Sequence, residues 1–182
     1  PGLNMKFTSR TSFVARAIDV DPKGLYEVLQ KAHAHKGTAY VEILQNCVVF
    51  NDGAWFDIRD NKETKPKAQL VLVDKQPMLF DNGKKGLGFD RNSMMPFVLD
   101  LEAEPARKTE VLVHDETDPS GMMAHVLAGL EYPKFPVPLG VLRRHTRPTY
   151  EDMVAEQNKK ASEKGIGDLK KLIYSGDLWD VK

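Results

Sequence analysis

Ser12-Phe-Val-Ala-Arg-Ala-Ile18, Asp21-Pro22 and Thr38-Ala-Tyr-Val-Glu-Ile-Leu44 are the segments from which the fold is read. The first run is apolar but for one arginine and predicts a strand, closed by Asp19-Val-Asp21. Asp21 is placed to cap a helix with Pro22 at its first position, where the missing N–H would have no helical partner anyway. Leu25, Val28, Leu29 and Ala32 recur at helical spacing, so the helix runs over 23–36 and Gly37 stops it. β-Branched and aromatic residues make 38–44 a second strand. Strand, helix, strand is one parallel crossover, the unit of α/β folds. Two strands leave open edges and few partners for their apolar faces, so more strands must come from later in the chain or from a missing N-terminal part.

Downstream the character changes. Asn51-Asp52-Gly53 reads as a turn, and residues 54–107 carry short apolar runs broken by Pro66, Pro77, Gly83, Gly86, Gly88 and Pro96, the pattern of an irregular extension. Its most strand-like pieces are 67–73 and 110–113. Asp118-Pro119 repeats the cap-and-proline signature ahead of a helix whose apolar face is Met122, Met123, Val126, Leu127 and Leu130. Val137-Pro-Leu-Gly-Val-Leu142 suggests one more strand. Thr149-Tyr-Glu-Asp152 resembles a capping box for a helix ended by Gly165, with a short helix over 168–174 and a tail over 175–182.

The 182 residues suit one ordinary domain, or part of one with an extension, and 26 acidic against 26 basic side chains give no field that draws nucleic acid or a membrane surface. No run approaches the roughly 20 apolar residues of a membrane span, and Pro1-Gly2-Leu3-Asn4-Met5-Lys6 has no leader pattern. A single cysteine, Cys47, excludes an internal disulfide framework, and the expected location is cytoplasmic.

Several groups invite chemistry. His33 and His35 on one helix would point roughly 200° apart, too divergent to share a metal ion. Gly83-Lys-Lys-Gly86-Leu-Gly88 has the content of a phosphate loop without its spacing and reads as a turn. Arg143-Arg144-His145 with Arg147 is a basic cluster, open to an anion or acidic partner but more simply solvated. His114-Asp115-Glu116 stands at a strand end where a base could sit, with no nucleophile beside it. Cys47 follows the carboxyl end of the second strand, where open α/β sheets place ligands, and position alone favours a buried inert thiol.

Phe13-Val-Ala-Arg16, His35-Lys-Gly37-Thr38, Val41-Glu-Ile-Leu-Gln-Asn-Cys47 and Phe50-Asn-Asp-Gly53 resemble the beta subunits of 2-oxoacid:ferredoxin oxidoreductases. His114-Asp-Glu116 with Asp118-Pro119, Glu131-Tyr-Pro-Lys-Phe-Pro-Val-Pro-Leu-Gly140, Arg147-Pro-Thr-Tyr-Glu-Asp152 and Ser175-Gly-Asp-Leu-Trp179 resemble the family's C-terminal extension in the same order. The Gln-Asn-Cys-x-x-Phe-Asn-Asp-Gly form is more similar to the 2-oxoglutarate branch than to the pyruvate branch. The resemblance implies an α/β fold in which 1–50 are the last strand-helix-strand unit of a thiamine-diphosphate-binding domain and 51–182 an irregular α+β extension.

It also implies oxidative decarboxylation of a 2-oxoacid to acyl-CoA, with electrons passed to ferredoxin and an alpha subunit as partner. In the family, thiamine diphosphate and magnesium are held by a Gly-Asp-Gly-type segment with a downstream Asn, and an N-terminal Cys-x-x-Cys and another cysteine hold a [4Fe-4S] cluster. None of these appears here, so the chain reads as a truncated or split subunit, inactive alone. No catalytic or coenzyme-binding residue carries over. One metal ligand does: Cys47 matches the cysteine that resembles the cluster's fourth ligand, which turns the reading from inert thiol to cluster ligand.

Overall fold

The computed structural model describes residues 11–165 and 167–179, and the chain divides into two units, Pro1–Arg147 and Pro148–Lys182. In the first unit the crossover forms as expected: strand β1 (Phe13–Ile18), helix α1 (Pro22–Ala34) and strand β2 (Ala39–Leu44), with β1 and β2 parallel. The Asp21 carboxylate accepts the Gly24 N–H at 3.1 Å, which fixes the start of α1. Its end falls at Ala34, so His35 is an extended cap residue and not, as expected, part of the helix.

After two single turns, α2 (Phe56–Arg59) and α3 (Lys65–Ala68), the chain enters strand β3 (Gln69–Val71), then β4 (Leu79–Phe80), β5 (Lys85–Asp90) and β6 (Met95–Asp100). A 3-10 helix (Pro105–Glu110), helix α4 (Met122–Ala128) and strand β7 (Val137–Arg144) complete the unit. β7 returns to lie antiparallel against β1, and β3 pairs parallel with β7, giving a four-stranded sheet of order β2-β1-β7-β3. The further strands beside β1 therefore come from later in this chain, on the far side of residue 50, while among the described residues no strand pairs with the outer edge of β2. The fold is mixed α/β, with parallel and antiparallel pairing.

β1 decides the packing, because all six of its residues are buried. Phe13 and Ala15 pack with Val28 and Ala32 of α1, Val41 of β2 and Val141 of β7. Val14 joins Leu70, Leu87, Leu127 and Leu142, while Ile18 joins Leu44, Ile58, Val137 and Leu139. A strand covered on both faces reads as a nearly continuous apolar run.

Several expectations are corrected. The region 54–107 is not irregular throughout: β4, β5 and β6 form an antiparallel meander. Asp81, Asn82 and Gly83 turn with positive φ (52°, 56° and 81°), but Gly86 and Gly88 lie in β5. A Cβ on Gly86 would sit 2.6 Å from Val111 Cγ2, and one on Gly88 would sit 2.6 Å from Phe97 Cζ. These glycines make room for neighbours, and an alternating strand pattern is not visible where every second side chain is missing.

The expected strand over 67–73 begins only at Gln69, because Pro66 favours a helical first turn. Over 110–113 no strand forms. Glu110 ends the 3-10 helix, clamped by Arg107, whose guanidinium bonds Glu104 at 3.1 Å and Glu110 at 2.9 Å. Asp118 caps no helix: its carboxylate takes the Ser120 N–H at 3.0 Å and hydroxyl at 2.7 Å, and α4 starts after Gly121 in the left-handed conformation. Of the residues assigned to its apolar face, Met122 is exposed and Leu130 lies past the helix end.

In the second unit the capping box is present. Thr149 Oγ1 accepts the Asp152 N–H at 3.1 Å and the Asp152 carboxylate accepts the Thr149 N–H at 3.4 Å, opening α5 (Tyr150–Ser162). Asp168 caps α6 (Leu169–Ile173) through the Lys170 N–H at 2.9 Å. Of the expected tail, 180–182 lie outside the described residues.

Leu127 has no exposed surface. Leu127→Ala should lower the stability of the chain by about 2–5 kcal/mol, the range for truncating a core leucine. A urea titration should show an earlier midpoint with an unchanged slope.

Candidate functional site

β1 and β2 both deliver their carboxyl ends to one rim of the sheet. Register pairs Arg16 with Glu42. Arg16 is only 9% exposed, and its Nε donates to Glu42 Oε2 at 2.7 Å. Each is the lone charge in an apolar strand, and opposite charges directly across a strand pair stabilise each other. A guanidinium buried to this degree requires such a partner, since removal of its counter-charge leaves it unpaired in a poorly solvated place. The pair lines a cleft of about 730 Å³ with Leu44, Trp55, Tyr132 and Val137.

Cys47 leaves β2 at this same end. The buried, inert thiol that position alone suggested does not occur: Cys47 is exposed. The turn that carries it is held by hydrogen bonds on both sides. Asn51 N–H donates to the Cys47 carbonyl at 2.9 Å, Asn46 Nδ2 donates to Asp52 Oδ1 at 2.9 Å, and Gly53 N–H donates to Asn46 Oδ1 at 2.9 Å. Backbone N–H groups of Phe50 and Val49, and to a smaller extent Asn51, hold the thiol below its ordinary pKa, against desolvation and the Asp52 carboxylate.

The other candidate residues go elsewhere. His114 is 1% exposed with Nε2 at 2.8 Å from the Val141 carbonyl, inside the core. Asp115 is tied to Lys75 and Thr117, which lower its pKa to about 2, so it is a carboxylate and no base near neutral pH. Glu116 is buried and held by Arg144 at 2.7 Å and by Lys31 at 3.6 Å. The basic cluster is thereby divided: Arg144 is spent on Glu116, and Arg143 packs beside Gly121. His33 and His35 form no metal site, and among the described residues no three His, Cys, Asp or Glu side chains gather as one.

His35 Nε2 instead lies 2.9 Å from Ser12 Oγ, whose hydroxyl donates to the Thr38 carbonyl at 3.1 Å. Burial, then Arg144 and His145, lower its pKa. The sequence reading missed Arg16–Glu42 and the Asn46 clamp. The first had a signal, one opposite charge in each of two strands expected to pair, and the second had none beyond a turn.

Two outcomes are expected. Glu42→Ala should cost about 2–4 kcal/mol, toward the lower side for a broken buried pair because Glu42 keeps some water contact, and Arg16→Met with Glu42→Leu should recover most of it. Equal losses in the single and double variants, measured by urea unfolding, would refute the pairing. For His35 the folded pKa lies below the unfolded value of about 6.5, so its contribution is present above that pH and is lost as pH falls through it toward the folded pKa. His35→Gln should flatten the decline in stability between pH 7 and pH 5, roughly the window below the unfolded value.

No family model matches the chain. It is 31% identical over 189 residues to the 2-oxoglutarate oxidoreductase subunit KorB of Mycobacterium tuberculosis, a match that takes in 98% of this chain and 48% of that protein. It is 42% identical over 86 residues to the 2-oxoacid:ferredoxin oxidoreductase subunit beta of Saccharolobus solfataricus, covering 46% of this chain and 28% of that one. A solved 2-oxoglutarate:ferredoxin oxidoreductase from Magnetococcus marinus superposes with a TM-score of 0.56 at 20% identity, over 95% of this chain and 43% of that chain, which shows a shared fold. The chain thus spans about half the length of the M. tuberculosis protein.

Proposed function

Because this chain is a relative, through nearly its whole length, of the beta subunits of 2-oxoacid:ferredoxin oxidoreductases, we propose that it works as part of such a subunit. The reaction is oxidative decarboxylation of a 2-oxoacid to its acyl-CoA with transfer of electrons to ferredoxin. The substrate is 2-oxoglutarate in preference to pyruvate, a choice supported by the name of the M. tuberculosis relative. The observation that carries the reading is the similarity along 98% of the chain, in which separate motifs keep one order.

In this reading 1–50 end the thiamine-diphosphate-binding domain, 51–182 are the subunit's extension, and the alpha subunit and ferredoxin are its partners. Thiamine diphosphate with magnesium belongs to the whole subunit, and no residue here is assigned to it.

A [4Fe-4S] cluster fits this chain at one point. Cys47 supplies a soft donor, exposed and biased toward thiolate, on a turn fixed at the rim of the sheet. When bound, such a cluster relays single electrons. What the chain contributes is the donor and the turn that carries it, which Asn46 closes by bonding to Asp52 and Gly53. The remaining thiolates come from outside the chain, which has one cysteine.

The test is reconstitution with the other part of a beta subunit and an alpha subunit. Iron content, visible absorption and reduction of a viologen dye with 2-oxoglutarate or pyruvate are then recorded. Cys47→Ser should lose most of the cluster and drop dye reduction by roughly tenfold or more, the scale of damage at a metal site. Full iron and full activity in the serine variant would remove Cys47 from the ligand set, and dye reduction only with pyruvate would reassign the substrate.

A further inference from the structure

Glu42 engages only part of Arg16. A guanidinium carries its N–H donors in a planar fork, and the ion pair with Glu42 uses the one on Nε. Among the described residues Nη1 and Nη2 have no hydrogen-bond partner, although the Arg16 side chain is only 10% exposed. Donors left open in so poorly solvated a place cost stability until something accepts from them. Glu42 is open in the complementary sense: Oε2 takes the Arg16 Nε–H, and Oε1 has no partner among the described residues.

Both open ends belong to the cleft of about 730 Å³ that the pair lines. Side chains alternate along β1, so Arg16 shares a face with Val14 and Ile18, whereas Phe13 and Ala15 pack on α1. Of the cleft walls, Leu44 and Val137 belong to a core cluster, and Trp55 and Tyr132 pack against it. The walls are therefore held by the core, and the volume is that of a site for a small organic molecule.

Charge narrows the choice of ligand. Asp57 and Glu131 also line the cleft, so with Glu42 three carboxylates stand against the one guanidinium. A plain anion is disfavoured by that balance, and a plain cation leaves the Arg16 fork unanswered. A molecule bearing a carboxylate and an ammonium together answers both.

We propose that this cleft binds an α-amino acid with a large apolar side chain. Its carboxylate accepts from Nη1 and Nη2 of Arg16, its ammonium donates to Glu42 Oε1, and its side chain lies against Trp55 and Tyr132. The planar fork suits a carboxylate held by two parallel bonds. An α-amino acid carries both charged groups on one carbon, and the parallel register sets Arg16 directly beside Glu42, so the ligand and the pair match in spacing. Cys47 and the cluster take no part in this binding, which is tested separately from the proposed function.

The full 182-residue chain is titrated with L-phenylalanine by calorimetry, with the fluorescence of Trp55 as a second signal. Saturable binding is expected, and Trp55→Phe should keep the heat while losing the fluorescence response. Three analogues each remove one group: 3-phenylpropanoate lacks the ammonium, phenethylamine the carboxylate, and glycine the side chain. Each should bind roughly tenfold or more weakly, the scale of losing a hydrogen bond to a charged group or a buried ring. Arg16→Met with Glu42→Leu should abolish binding while its circular dichroism stays native.

No saturable heat from L-phenylalanine would overturn the proposal. So would binding of 3-phenylpropanoate or phenethylamine as tight as that of the amino acid, or undiminished binding by the folded double variant. The analogue series is run on the native chain, so it decides the matter even where the double variant fails to fold.

Discussion

Strand β1 is enclosed on both faces and both edges, and much of the first unit follows from that constraint. Each of its backbone N–H and C=O groups needs a partner, because a buried unpaired one costs as much as a lost hydrogen bond. β2 supplies one edge in parallel and β7 the other antiparallel. A helix on one side and α4 with the meander on the other supply the apolar cover. Sequence-distant elements are thus brought to one strand by the need to keep six consecutive residues out of water.

The crossover was legible because its signals are local. Asp21 and Pro22 begin α1, Gly37 ends the connection, and 39–44 is β-branched or aromatic at half its positions. The capping box at Thr149 was legible for the same reason. What could not be read was set by neighbours far away in sequence. Gly86 and Gly88 resemble a loop until Val111 and Phe97 are seen in the space they leave. Asp118-Pro119 has the local form of a helix start, but Ser120 satisfies the carboxylate first and delays α4 to Met122. Glu110–Val113 has strand composition, yet Arg107 holds Glu110 in a tighter turn.

At the site the division is similar. The place of Cys47 beyond a parallel strand was visible from spacing, but its exposure was not, since that depends on a side chain, Asn46, that bonds forward to Asp52 and Gly53. His114, Asp115 and Glu116 looked chemical as a run. Once folded, they separate into a buried histidine bonded to β7, a half-buried carboxylate held by Lys75 and Thr117, and a buried carboxylate held by two cations. Charge in a short motif says little until the partners that neutralise it are known.

Exposure and rigidity together distinguish the Cys47 turn from an ordinary loop. A thiol kept only for packing would be buried, and a thiol on a mobile loop would have no lasting set of N–H groups around it. Here the sulfur is exposed, and the clamp that closes its turn uses a single asparagine with both ends of its amide engaged. Such an arrangement prepares a donor for something that arrives from solvent. Val48, Val49 and Phe50 beside it are exposed as well, so a soft donor and three apolar side chains stand together on one turn closed by Asn46.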